Sequence, residues 1–200
     1  MQIMMNPHVV SNLLLAVTGV LIFYKNFNIF SRSNKYLWGV FLFCISGSAL
    51  MNSLFYAGVY IDNDWIVFMQ IINLTLGTIG LLFGAWCLVM RINASPKLLA
   101  GAVVFAILVI GGIYFFKINF LATIFYAFCI LVTLIICCIG LAAREKSALW
   151  LLFGTMLLAF TTKLHLIFIY IDPRDLGNYV SVFALICIGK AIRYEYEKLF

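Results

Sequence analysis

The sequence predicts an all-α integral membrane protein, a bundle of seven transmembrane helices. Three observations carry this. Hydrophobic residues make up 66% of the 200-residue chain and charged residues 10%, whereas a soluble domain carries about 25% charged residues. Seven continuous apolar runs divide the chain almost without remainder, each near the roughly 20 residues a helix needs to cross about 30 Å of hydrocarbon. The short polar connections between them alternate in charge. Membrane β-strands would instead alternate over segments of about ten residues. A backbone in lipid must satisfy its own hydrogen bonds, which leaves helices. Residues 1–200 thus read as one transmembrane domain.

Helix one is predicted over 7–24, where Asn6-Pro7 supplies a capping side chain and then proline at the first helical position. No basic segment precedes Val9, and the run reaches Tyr24 without a small-residue cleavage site. It therefore reads as a membrane helix rather than a signal peptide. Helices two and three cover 36–60 and 65–90. Ser95-Pro96 repeats the cap-and-proline signal and opens helix four, over 96–116. Only Lys117-Ile118-Asn119 separates it from helix five, over 119–142, and a kinked or re-entrant segment is the competing reading there. Helices six and seven cover 147–171 and 176–193.

Lysine and arginine in short loops mark the cytoplasmic face. The first, third and fifth connections and the tail hold Lys25, Arg32, Lys35, Arg91, Lys97, Arg144, Lys146, Lys190, Arg193 and Lys198. The opposite side holds Asp62, Asp64, Asp172 and Asp175, with only Lys117 and Arg174 as basic residues. The N-terminus is expected outside and the C-terminus in the cytoplasm, which requires an odd number of crossings. Aromatic belts are expected at both boundaries, with Trp38, Trp86 and Trp150 at the inner one. The net charge of +6 is spread over separate loops, so it reads as topology signal and lipid contact, not as a nucleic-acid surface.

Helix two ends in Tyr60-Ile61-Asp62 and helix six in Tyr170-Ile171-Asp172, and both carry Leu-Trp near their inner ends. That pattern suggests a 3+1+3 parallel repeat with helix four as connector. The six cysteines all fall inside apolar runs without a C-x-x-C pair, so they read as small core residues rather than disulfides or metal ligands.

Several polar residues within the spans are candidates for function. Lys163 falls inside predicted helix six, roughly 12 Å from its outer end at about 1.5 Å per residue. There it costs about 2.5–3.5 kcal/mol. Lys163 either faces a ligand cavity inside the bundle or snorkels to the headgroups. His165 is a ligand or proton-relay candidate, or else bonds a neighbouring backbone or hydroxyl group. Asn52 and Asn73, with Ser48 on the same helix as Asn52, either orient a ligand or tie helices together. Gly77, Gly80 and Gly84 form a small-residue seam for close helix packing. The outer set Asp62, Asp64, Asp172, Asp175 and His8 is a weak oxygen-rich candidate for a cation; solvated loop ends are the plainer reading.

The N-out, seven-helix plan with polar residues on helix two and at the start of helix seven resembles the alkaline ceramidase and progestin/adiponectin-receptor superfamily. Its members are membrane-embedded, zinc-dependent amide hydrolases or related receptors. Their pattern has a serine and a histidine on the second helix, an aspartate near the third and two histidines four apart on the last. Here Ser48 and Asn52 occupy the helix-two spacing, with asparagine in place of histidine. Asp62 or Asp64 stands for the aspartate, and the last helix offers Asn178 and Tyr179 but no histidine. Two histidines in the whole chain cannot supply three zinc ligands, so the resemblance implies a member that has lost the metal.

The expected function is therefore non-enzymatic: binding of a small or lipid-like ligand within the bundle, as a carrier, receptor or accessory protein. A divergent lipid hydrolase and a structural subunit of a larger membrane complex are the alternatives. No cofactor is expected. Expected partners are membrane lipids and the ligand; nucleic acid is excluded, and a homo-oligomer or membrane complex stays open. The compact chain without long loops points to a bacterial inner membrane.

Overall fold

The computed structural model describes residues 6–28, 33–116, 118–164 and 172–197. Among them are seven helices: α1 (Pro7–Asn26), α2 (Asn34–Tyr56), α3 (Asn63–Val89), α4 (Pro96–Phe116), α5 (Asn119–Ala142), α6 (Lys146–Thr161) and α7 (Pro173–Glu197). All but α6 are long and apolar enough to cross a membrane. The exterior of the bundle is apolar, with Leu14, Val17, Phe43, Leu108, Phe128 and Phe183 exposed. Such a surface suits hydrocarbon, since water-soluble monomers rarely expose large apolar patches.

Helix ends follow local chemistry. Asn6 caps α1 by accepting a 3.0 Å bond from the His8 amide. Ser95 caps α4 through the Leu98 amide at 3.2 Å. The same cap-and-proline device opens α7: Asp172 accepts from the Arg174 amide at 2.8 Å and Pro173 takes the first helical position. Helix α7 therefore begins three residues before the expected start at 176.

Two further boundaries are corrected. Helix α2 stops at Tyr56 rather than at residue 60, because Gly58 adopts φ 87°. The Val59 amide then reaches Leu54 O at 3.1 Å and the Gly58 amide reaches Phe55 O at 3.0 Å, a Schellman motif. Helix α6, expected over 147–171, runs from Lys146 and stops at Thr161; residues 165–171 of that expectation lie outside the described residues. The hydroxyls of Thr161 and Thr162 donate back to the Leu158 and Ala159 carbonyls, both at 2.7 Å, and compete with the helical ladder.

Five residues of α3, Asn73–Gly77, form a π turn. Thr75 and Thr78 hydroxyls take up carbonyls around it, from Ile71 at 2.6 Å and Leu74 at 2.8 Å. One-turn π segments are rare and cluster at functional sites.

Six helices close a ring in the order α1, α2, α3, α5, α6, α7 and back to α1, and α4 packs outside it against α3 and α5. Asn63 on α3 and Pro173 on α7 begin their helices beside His8 of α1; this is the His8 end. At the opposite end, the Trp38 end, the ring is filled. Trp38, Leu42, Leu81, Leu151, Leu185, Ile188 and Ile192 are at most 1% exposed. The Gly80 and Gly84 seam works as expected: a Cβ on Gly80 would lie 2.8 Å from Leu37 O, and one on Gly84 would strike the Trp38 ring. Trp38 is thus a core residue, not a member of an aromatic belt. Arg91 donates to Glu145 at 2.6 Å and the Ala94 amide to Asn34 Oδ1 at 2.9 Å, which tie the loops of this end together.

Candidate functional site

The His8 end of the ring is open and polar. A vestibule of about 1120 Å³ leads to a deeper chamber of about 330 Å³. Asn12, Asn52, Gln70, Thr161, Asn178 and Ser181 line both, and so form the collar between them. Each comes from a ring helix. Tyr56 at the vestibule and Phe41 in the chamber are about 22 Å apart along α2 at about 1.5 Å per residue, so the cavity passes the middle of the bundle before the apolar plug closes it.

Helical periodicity aims these groups inward. Asn52 and Ser48 are one turn apart on α2, and Gln70 and Asn73 one turn apart on α3, so each pair shares a face. Asn73 begins the π turn, and Gly77 opposite its Oδ1 has no side chain to crowd it. On α7, Asp175, Asn178 and Ser181 repeat every three residues. Across the chamber, α5 contributes Thr123 and Tyr126, whose hydroxyl donates to Leu158 O at 3.2 Å.

The hydrogen-bond pattern divides the lining in two. Asn12 donates to His8 O at 2.7 Å and Asn178 to Ser11 Oγ at 3.1 Å, so both are held by the protein. Asn52, Gln70 and Asn73 make no side-chain hydrogen bond among the described residues, and their polar atoms face the cavity. Among the described residues, then, no side-chain hydrogen bond of Asn52 or Asn73 ties helices together. An interhelical bond of that kind contributes only about 0.6 kcal/mol, whereas an amide stranded in hydrocarbon costs several kcal/mol. Asn52 and Asn73 are half-buried and Gln70 is exposed at the cavity, so a polar content, water included, can pair with them.

The vestibule rim carries the charges. Asp175, 6% exposed, accepts from Ser11 Oγ at 2.6 Å and lies 3.0 Å from His8 Nδ1. His8 Nε2 is 3.7 Å from Asp172. The imidazole also packs on Tyr56, ring centroids 4.9 Å apart, and Arg174 donates to the Tyr56 hydroxyl at 2.9 Å. His8 thus joins α1, α2 and α7.

Of the residues singled out from sequence, Asn52, Asn73 and Ser48 meet in the chamber. Lys163 is exposed just past the end of α6 and lines neither compartment. His165 lies outside the described residues. The acidic set divides: Asp172 and Asp175 meet His8, whereas Asp62 caps α3 through the Asp64 amide at 3.2 Å. Among the described residues no three His, Cys, Asp or Glu side chains form a group that could hold a metal ion. Missed from sequence as cavity residues were Asn12, Gln70 and Tyr126, and with them the part of Ser11 in the His8–Asp175 contact; Asn178 was named only as the start of the last helix. The signal for them existed in the one-turn spacing His8–Asn12 and in Asp175–Asn178. No protein-family model matches this chain, and neither does a curated protein or a solved structure.

Proposed function

We propose that this is a multi-pass membrane protein, N-terminus outside and C-terminus cytoplasmic, that binds a small ligand inside its helical bundle without transforming it. One observation carries the proposal: the amides of Asn52, Gln70 and Asn73, without a side-chain hydrogen bond among the described residues, around a cavity in an otherwise apolar bundle. The chamber wall, among the described residues, holds no carboxylate, imidazole or thiol, which favours binding over hydrolysis. The orientation is supported by charge, since Arg91, Arg144 and Lys146 belong to the Trp38 end and Asp62, Asp172 and Asp175 to the His8 end. The ligand then enters from outside. A receptor-like or accessory role fits a cavity that ends on the Trp38 plug, and a bacterial inner membrane suits so compact a bundle. The position of α4 outside the ring is compatible with a connector between two three-helix repeats.

Thermal unfolding of the protein in lipid nanodiscs tests this against neutral, zwitterionic, ionic and lipid probes. At least one class should stabilise the wild type, by about 2.7 kcal/mol at a hundredfold excess over Kd, and leave the Asn52→Leu/Asn73→Leu double variant unmoved. Silence of every class, or equal shifts in both proteins, overturns the proposal.

A further inference from the structure

We infer that the deep chamber selects an uncharged, polyhydroxylated ring, a cyclic polyol or pyranose, either as a free solute or as the headgroup of a glycolipid. The inference rests on the binding reading above and names the chemistry that satisfies it.

Charge is the first constraint. Among the described residues the chamber is lined by no acidic or basic side chain. Asp172 and Arg174 line the vestibule instead, together with His8. An ion moved past the collar would lose its hydration without gaining a counter-charge, a penalty that no hydrogen bond to a neutral amide offsets. Hydrocarbon is excluded for the opposite reason, because it would leave Asn52, Gln70 and Asn73 unpaired.

Hydrogen-bonding character is the second constraint. A carboxamide offers two donors and an acceptor side by side, and the hydroxyls of Ser48 and Ser181 both donate and accept. The ligand groups that match such a wall are those that also do both, namely hydroxyls. Because these side chains come from several helices around the ring, the ligand must present its polar groups around its edge. Phe41 and Tyr126 add apolar area among them, suited to the C–H faces of a saturated ring. Size agrees: about 330 Å³ equals the space of roughly eleven water molecules at about 30 Å³ each, at the small end of ligand pockets.

Equilibrium binding to the full chain in phosphatidylcholine nanodiscs, prepared without sugar-headed detergent, tests this. The soluble probes are myo-inositol and glucose, with glucose 6-phosphate, glucosamine and uracil as charged or planar congeners. A second arm places monoglucosyl diacylglycerol in the disc, with dodecanol as the hydrocarbon control. A neutral polyol or its glycolipid should bind at least tenfold more tightly than every congener; the arm that responds identifies the source. Gln70→Leu and Asn73→Leu should each weaken that binding at least tenfold while keeping the wild-type elution profile. Asn73→Gln keeps the amide and separates loss of chemistry from loss of shape, so it should retain more binding than Asn73→Leu. Tighter binding of a charged congener, uracil or dodecanol overturns the ligand class and leaves a binding cavity standing. Failure of every probe here, with a response from another class in the unfolding screen, also overturns the class alone. Silence in both experiments removes both.

Discussion

His8 Nδ1 lies 3.0 Å from the carboxylate of Asp175, which joins the first turn of the first helix to the first turn of the last. Asp175 is buried and also accepts from Ser11, so neither α1 nor α7 can leave this end alone without stranding a polar group. Hydrogen bonds to charged groups contribute about 1.5–3 kcal/mol. Asp175→Ala should therefore destabilise the bundle by roughly 2–3 kcal/mol, more than His8→Ala, since Asp175 has two partners in α1. A double-mutant cycle should give a coupling of at least about 0.5 kcal/mol. Strictly additive losses in denaturant unfolding would mean that the pair does not hold the two helices together.

Two glycines separate packing from propensity. A Cβ on Gly80 would lie 2.8 Å from the Leu37 carbonyl and 3.0 Å from the Phe41 amide, backbone that cannot rotate away. Gly80→Ala should cost about 1–3 kcal/mol. Nothing lies within 4 Å of the corresponding point at Gly101 on α4, so Gly101→Ala should be neutral or stabilise by up to about 1 kcal/mol. Comparison of the two unfolding midpoints checks the pair, and an equal response at both positions would contradict the α2–α3 contact.

The helices were legible because most of the apolar runs are long and several open on side-chain caps. Asn6-Pro7 and Ser95-Pro96 announced α1 and α4, and α5 begins at Asn119 as expected. What escaped were terminators hidden in hydrophobic context. Gly58 ends α2 among tyrosines, and Thr161-Thr162 end α6 without any proline or glycine. Hydropathy is blind to both, since the first acts through a positive φ and the second through side-chain competition for carbonyls. The π turn at Asn73–Gly77 leaves no compositional trace either.

The site was half legible for a related reason. Asn52, Asn73 and Ser48 stood out as amides and hydroxyls within spans. Lys163 drew attention by its charge, yet it is exposed beyond α6. Asn12, Gln70 and Asn178 were less conspicuous singly. The meaning of Asn12 and Asn178 comes from a ring closure between α1 and α7, a contact between the two ends of the sequence that no local pattern encodes, and Gln70 of α3 joins them only across that ring.

Arg91 and Arg144 sit at φ 54° and 61° in the caps that end α3 and α5. A left-handed backbone costs a non-glycine residue roughly 1–2 kcal/mol. Arg91 is held by Glu145 at 2.6 Å, which offsets part of that strain. Arg144→Gly should therefore raise stability by about 1 kcal/mol, and Arg91→Gly by less. Chemical denaturation in detergent would show the ordering, and a larger gain at Arg91 would contradict it.

The chamber amides should be a stability cost that binding explains. Asn52, Gln70 and Asn73 make no side-chain hydrogen bond among the described residues, and polar groups lacking a partner are worth about 1–3 kcal/mol against the folded state in mutational data. Water in the cavity relieves part of this. Asn73→Leu should therefore unfold at a higher temperature than the wild type, by an amount equivalent to roughly 0.5–2 kcal/mol, while losing the stabilisation that ligand confers. Such an exchange is expected where a residue is kept for function. Asn12→Leu should do the reverse, since Asn12 already bonds His8 O at 2.7 Å and its loss removes a native contact. If Asn73→Leu instead destabilises as Asn12→Leu does, Asn73 is a structural residue and the chamber loses its strongest claim to a ligand.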